Sequence, residues 1–310
     1  MKAANNNKPI SDVFLNRSLV FICNLEKFED DPVEENIHQS RVSGRRLESL
    51  FEAFGHLSNA EYKVYYRQIV SIIKLLSASR EADVCISLTK DYYQQIKVEN
   101  LIVNNFLNHL VRNSKLQRKK IFKNNEIECF INAKESFEKF IGHEMFDGDE
   151  FISLEIARNY AVRIIPELYD KVFEYSDIVV NNPDEKKKLH RMRLKAKPLR
   201  YLVEFANEVY ECNLDDLQFQ VKEFVEQAGL IHDIDMLIER VNKFSKLLSN
   251  LKNKDRVISK DKSLSVFVKY LNTRRRVEYE TFRSRIFKME DVNIKQKLLK
   301  ELLVPIVNKT

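Results

Sequence analysis

Two stretches of this chain share one pattern at one spacing, and that spacing dictates most of what the fold can be. IHQSRVSGRRLESLFEAF (37–54) lies on LHRMRLKAKPLRYLVEFA (189–206) at an offset of 152. His38 falls on His190, Arg41 on Arg193, Arg45 on Lys197, Leu47 on Leu199 and Glu52 on Glu204. The offset holds without a gap to SREADVCI (79–86) and IHDIDMLI (231–238), pairing Glu81 with Asp233 and Asp83 with Asp235. Arg118-Lys119-Lys120 then meets Arg274-Arg275-Arg276 at offset 156, an insertion of about one helical turn. A chain that repeats at such a period builds its core from copies of one unit. The copies run over about 11–145 and 151–305, within one domain spanning 11–310 after a disordered start at 1–10.

The unit is helical. Only 5 Gly and 6 Pro interrupt 310 residues, 44% of which are hydrophobic. Few breakers and much Leu, Lys, Glu and Arg predict long helices, and no strand pattern stands out. Helices are expected at 11–28, from Pro32 to about Gly55, and near 59–79, 80–97, 99–118 and 119–142. Val13, Phe14, Leu15, Leu19, Val20 and Ile22 supply the apolar side of the first. Asp31 is a candidate cap for a helix starting at Pro32, and Gly55 a stop. Phe146-Asp147-Gly148-Asp149 is the clearest internal break. A long helix is expected at 151–180, and Asn182-Pro183 restarts the chain. Further helices follow near 184–211, 214–231, 233–252, 261–288 and 292–304.

Cys23, Cys85, Cys129 and Cys212 are scattered, with no CxxC pair, which argues against a zinc ribbon or redox motif. No apolar N-terminal run marks a secretory signal, and no run of about 18 apolar residues marks a membrane span. An intracellular, cytoplasmic protein is expected. Net charge is only +6, yet 186–201 holds eight Lys or Arg and no acid. Local concentration of charge matters more for partner choice than the total.

At 100° per residue, Leu189, Met192, Ala196, Leu199, Leu202, Val203 and Ala206 form one apolar stripe. His190, Arg193, Lys197, Tyr201 and Glu204 form the opposite face. In the first copy Ile37, Leu47, Leu50, Phe51 and Phe54 oppose His38, Arg41, Arg45 and Glu52. Gly44 and Ala196 share a slot at the stripe's edge, where another helix is expected to pack closely. Like charges on one helix repel by about a few tenths of a kcal/mol per pair. Two such ladders face to face repel more, unless an anion neutralises them. A single basic run reads as a solvated face; a run repeated at one offset with His at its head reads as an anion site.

H-x-x-R-V-x-x-R-R-L in His38–Leu47 and H-x-x-R-L-x-x-K-x-L-R-Y in His190–Tyr201 resemble the signature helices of the CHAD family (conserved histidine α-helical domain). Arg80-Glu81-Ala82-Asp83 and His232-Asp233-Ile234-Asp235 resemble that family's second motif, [RH]-[ED]-x-D, at the family's spacing. The resemblance covers about 11–305. It implies an all-α fold of two tandem four-helix repeats with pseudo-two-fold symmetry, a basic groove or pore at their interface, and binding of inorganic polyphosphate without catalysis. Polyphosphate granules are a candidate partner, alongside phosphate storage and service to a neighbouring enzyme. Carried onto this chain, the expected phosphate contacts are His38, Arg41, Arg45, Arg46, His190, Arg193, Lys197, Arg200 and Tyr201. Arg80 and the Arg-rich runs near 118 and 274 rank lower. The chemistry suits a polyanion without bases: Arg donates a multidentate fork, Lys a point charge, and His adds charge as pH falls through about 6.5. Asp83 and Asp235 either orient basic side chains or cap helices that begin beside them. The chain departs from the family at Glu48, where a cation is usual, and at Pro198, which should bend or break its helix.

Other readings fare less well. His232-Asp233 resembles an HD-type metal site, but its repeat mate Arg80 cannot ligate a metal. Glu126-Ile127-Glu128-Cys129-Phe130 lacks the Lys of the ExExK strand of tunnel hydrolases. Walker, GxSxG and HExxH motifs are absent, and no cofactor is expected. His56, His109 and His143 stand alone in the sequence. Nonspecific nucleic-acid binding is the main alternative, weakened by the scarcity of aromatics on the basic face beyond Tyr201. A scaffold serving a phosphate-processing enzyme is another.

Overall fold

A computed structural model describes residues 10–57, 62–96, 100–145, 154–210, 214–251 and 262–290, with fragments of 296–303. Among the described residues every regular element is helical. The order is α1 (Ile10–Asp30), α2 (Glu34–Phe54), α3 (Tyr62–Ile96), α4 (Leu101–Lys123), α5 (Glu126–Asn132), α6 (Lys134–Lys139), α7 (Leu154–Phe173), α8 (Ser176–Asn181), α9 (Lys186–Val209), α10 (Asp215–Leu251) and α11 (Ser263–Met289). A 3₁₀ turn (Gly55–Leu57) follows α2, and a π turn (Phe140–Glu144) follows α6.

The contacts repeat in order. α1 packs on α2, α2 on α3 and α3 on α4; α7 packs on α9, α9 on α10 and α10 on α11. Between the halves, α2 meets α9, α3 meets α10 and α4 meets α11, so three helices of each half pack on their counterparts. This is the contact order expected of two repeats of four helices about a shared axis. α5, α6 and α8 are additions to that plan.

Two apolar cores lie along the long helices. The larger includes Phe14, Phe51 and Phe54 from one half and Leu199, Phe205 and Phe224 from the other. The smaller joins Cys85, Leu88 and Phe106 to Ile234, Val241 and Phe267. α3 and α10, each about 50 Å long, run from one core into the other. Their continuity corrects the expected breaks near 79 and 232. Gly and Pro are absent from Ser77–Asp83, and Ala82 and Ile234 are buried on the seam, so nothing interrupts either helix there.

Other corrections are local. Ile10 is fully buried at the start of α1, and the helix buries Phe14, Ser18, Phe21, Ile22, Leu25 and Phe28. Leu19 and Val20, expected inside, are about 40% exposed. α2 starts at Glu34 with Val33 as its cap residue, rather than at Pro32 with Asp31. The Asp31 carbonyl accepts from the Val33 amide and from the Asn36 side chain. The expected 119–142 helix is instead the end of α4 followed by α5, α6 and the π turn, with Asn125 at φ 51° marking the first break. The expected 151–180 helix divides into α7 and α8 at Glu174–Tyr175. Pro198 does not break α9, which runs unbroken from Lys186 to Val209. The Phe146–Asp149 break, Cys212 and most of the expected 292–304 helix lie outside the described residues.

The wheel holds. Each predicted stripe residue of α2 and α9 is at most 3% exposed. The slot at Gly44 is tight: a Cβ there would stand 2.8 Å from Phe21 Cε2 and 2.9 Å from Ile73 Cγ1. Ala196, its counterpart, is fully buried.

Candidate anion-binding site

The stripes fix how α2 and α9 rotate, and so where the ladders point. With the stripes in the larger core, the ladders turn inward toward each other and toward α3 and α10. Contacts between α2 and α9 follow the same order along both helices. Arg193 lies near enough to Arg41, and Lys197 to Arg45, for their charges to interact. Farther along, Arg46 Nε stands 2.6 Å from Glu204 Oε1. Beyond that the Phe54 and Phe205 rings meet at 5.3 Å. The two helices therefore run side by side in one direction.

The ladder cations are withdrawn from water. Burial, then the charges of Arg45 and Arg80, pushes Arg41 down to about 10. Burial, then Arg193, Arg45 and Arg41, brings Lys197 down to about 7. Arg193 is lowered as well, chiefly by burial. The ladders therefore form a half-buried cluster in which neighbouring cations, Arg45 and Arg193 among them, disfavour the charges of Arg41 and Lys197. Asp233 is the acid that faces them most directly, and burial raises its own pKa against the pull of Arg193 and Arg80. Tyr201 stands beside Arg45 and Arg46, with Arg200 over its ring at 5.7 Å.

Several polar atoms have nothing to bind. Among the described residues Arg45 Nε, Arg193 Nε, His38 Nδ1 and His190 Nδ1 are buried without a hydrogen-bond partner. An unmet buried charged donor costs about 1–3 kcal/mol or more. Arg193 Nε lies against α10 where Gly229 leaves room, 3.7 Å from where a Cβ would stand. Arg41 Nε donates to Ser77 Oγ at 3.2 Å, a partner no sequence signal points to.

The histidines sit at one end. The His190 and His232 rings lie 4.6 Å apart, tilted by 32°. Burial and the neighbouring Arg193 bring His232 down to about 4, and burial lowers His38 and His190 too. Each ring is thus held below the ordinary histidine value, so the charge expected to arrive through about pH 6.5 arrives at lower pH. His38 and Arg80 line a pocket of about 360 Å³ with Glu34 and Glu35, and Arg80 pairs with Glu34.

The remaining expected residues are held by acids. Arg45 Nη1 reaches Glu48 Oε2 at 2.6 Å, so Glu48 ties down a ladder cation as well as replacing one. Arg46 is bound to Glu204, and Arg200 Nη2 lies 3.5 Å from Glu226. The Arg-rich runs belong to the frame. Arg118 Nη2 donates to both Asp83 oxygens at 3.1 Å, and Arg275 Nε donates to Asp235 Oδ1 at 2.7 Å and Nη1 to the Pro183 carbonyl. The equivalent of Arg118 is therefore Arg275, one residue past the sequence alignment. Arg274 faces Asp91 and Glu278. Asp83 and Asp235 lie mid-helix, so they anchor α4 and α11 and cap nothing.

Metal chemistry gains no support: among the described residues no group of three or more His, Cys, Asp or Glu is placed to hold an ion. Glu126–Phe130 is helical, as α5. His56 packs on Tyr160, and His109 on Asn113 and Phe244. No described helix is long and apolar enough to cross a membrane.

Among curated protein sequences none matches the chain. The fold is similar to the crystal structure of the CHAD domain from the plant Ricinus communis, with TM-score 0.63 and 15% identity over 92% of this chain and 94% of that one. It is also similar to PptA from Streptomyces chartreusis, with TM-score 0.60 and 12% identity over 91% and 99% of the respective chains. The CHAD domain family model matches residues 21–242, a span that takes in both ladders and both acidic motifs. With that match and that fold, the chain belongs to the CHAD domain family.

Proposed function

We propose that this protein binds inorganic polyphosphate, without catalysis, between the ladders of α2 and α9. One observation carries the reading: Arg41, Arg45, Arg193 and Lys197 converge from two helices into one half-buried space, where Glu48 ion-pairs Arg45 and cations predominate. That arrangement costs stability in the free protein. A polyphosphate would supply the missing charge and the missing acceptors together. Arg45 and Arg193 offer unmet guanidinium donors, and Lys197 offers a charge that returns when an anion arrives.

Nucleic acid fits less well. The ladder's one aromatic, Tyr201, is half-buried beside Arg200 rather than free to stack on a base. A cytoplasmic binder that recruits polyphosphate, or its granules, is the role this chemistry suits.

The test is a titration with long-chain polyphosphate, DNA and RNA at moderate salt, repeated with Arg41→Met/Arg193→Met. Methionine keeps the stem and removes the charge, so the fold should survive. Polyphosphate is expected to bind most tightly, to lose at least about tenfold in the double variant, and to keep its length on incubation with Mg²⁺ or Mn²⁺. Equal affinity for DNA, no loss in the variant, or shortened chains would overturn the proposal.

A further inference from the structure

Three acids of this fold join helices. Asp83 holds α4 through Arg118, Asp235 holds α11 through Arg275, and Glu204 on α9 holds Arg46 on α2. Glu48 joins none. It is 6% exposed, yet among the described residues its one ion pair is with Arg45, three residues back on the same helix, at 2.6 Å. Glu52 lies close by and is raised by burial and then by the Glu48 charge, while the Tyr66 hydroxyl donates to it at 3.0 Å. Two neighbouring carboxylates repel, so Glu48 is a poor choice for the fold alone. Its repeat mate differs in sign: the offset of 152 puts Glu48 opposite Arg200. The effect falls on the ladder. Among the described residues Arg41, Arg193 and Lys197 make no ion pair, although Asp233 and Glu81 act on Arg193 from farther off. Arg45 makes one, and its Nε is left without a partner.

Resting on the polyphosphate reading, we infer that Glu48 is a built-in competitor for the ligand: it occupies Arg45 in the free protein, and a polyphosphate chain displaces it to gain that cation. A carboxylate and a phosphate oxygen accept from the same guanidinium fork, so each excludes the other from Nη1. Because the pair lies within one helix, its exchange loosens no contact between helices. The charge of Arg45 already reaches Arg41, Arg193 and Lys197, so it stands within the cluster it would join. The clasp is therefore unequal. Arg193 and Lys197 of the second copy are available at once, and Arg45 of the first only in exchange for Glu48. Affinity is set below what four unpaired cations would give, which keeps the chain exchangeable.

Glutamine at position 48 keeps an oxygen for Arg45 and removes the charge. Long-chain polyphosphate is titrated over a range of salt against the native protein, Glu48→Gln, Glu52→Gln and Glu48→Gln/Arg45→Met, and the thermal unfolding of each is measured. Glu48→Gln is expected to unfold near the native temperature and to bind about tenfold more tightly, with a salt slope steeper by about one contact. The gain should vanish in the double variant, because Arg45 is what Glu48 releases. Glu52→Gln should gain much less, since Tyr66 rather than a ladder cation holds it. Unchanged or weaker binding by Glu48→Gln would overturn the competitor and make Glu48 a positioning residue for Arg45. A melting temperature well below native would show a role in the frame and overturn it as well. So would a gain that survives loss of Arg45, or an equal gain in Glu52→Gln, either of which reduces the effect to general charge. No binding by the native protein and Glu48→Gln alike would instead overturn the polyphosphate reading, and the competitor with it.

Discussion

Lys197 shows most clearly what the site demands of a single residue. Its ammonium is brought down to about 7 in the folded chain, against about 10.5 when unfolded. Between those values the unfolded chain binds more protons than the folded one, so stability rises with pH across that window. Lys197→Met should therefore stabilise the ligand-free protein by about 1–4 kcal/mol near pH 7, with the gain shrinking toward pH 10.5. Denaturant unfolding at a series of pH values checks it; a destabilised variant at pH 7 would contradict it. A bound polyanion must restore the proton. Affinity should then be level below about pH 7 and fall as pH rises above it, read by titration across that range. His232 adds a second window, since its folded value of about 4 lies below its unfolded one and stability climbs from about pH 4 to 6.5. Types and spacing of these residues were legible in the sequence. Their burial was not, because a helical wheel gives a direction and not what stands opposite. Nor was Ser77, which has no motif around it.

At the scale of elements, the second motif serves architecture more than capture. Asp83 is 4% exposed and takes both Arg118 and Ser114; Asp235 takes Arg275 and Lys186. Each acid fastens the helix after it, α4 or α11, to the long helix that carries it. Breaking a buried pair from one side leaves an unpaired charge, so Asp83→Ala should cost about 3–5 kcal/mol in thermal or denaturant unfolding. Asp83→Glu at near wild-type stability would show the carboxylate matters more than its reach. Gly44 is the opposite kind of constraint. Valine there must push into Phe21 and Ile73 and should cost about 1–3 kcal/mol. That close approach was legible from one glycine sharing a slot with one alanine. The uninterrupted run of α3 and α10 was not, because a polar Arg-Glu-Ala-Asp or His-Asp-Ile-Asp step looks like a helix boundary until its partners across the interface are seen. Pro198 misled in the other direction: a local rule forecast a bend or break, and tertiary packing of Leu199, Leu202 and Val203 holds α9 helical through it.

For the whole molecule, the packing of α2 on α9 links the fold to the charge. Because α2 packs on α9, a ladder on one unit becomes two ladders facing each other, and a surface property becomes an interior one. The repeat was legible because helices tolerate no gap in their stripe, so a single offset survives over the length of two helices. The apolar contact of Phe54 with Phe205 was not legible, since it depends on how the helices converge. The central claim is that polyphosphate binds to this convergence and not to basic charge in general. The most direct test compares the affinity of long-chain polyphosphate for Arg193→Met with that for Lys243→Met, which removes the same charge from an exposed position on α10. At least about a tenfold loss and a shallower salt dependence are expected for Arg193→Met, and little change for Lys243→Met. Equal losses in the two variants would contradict it.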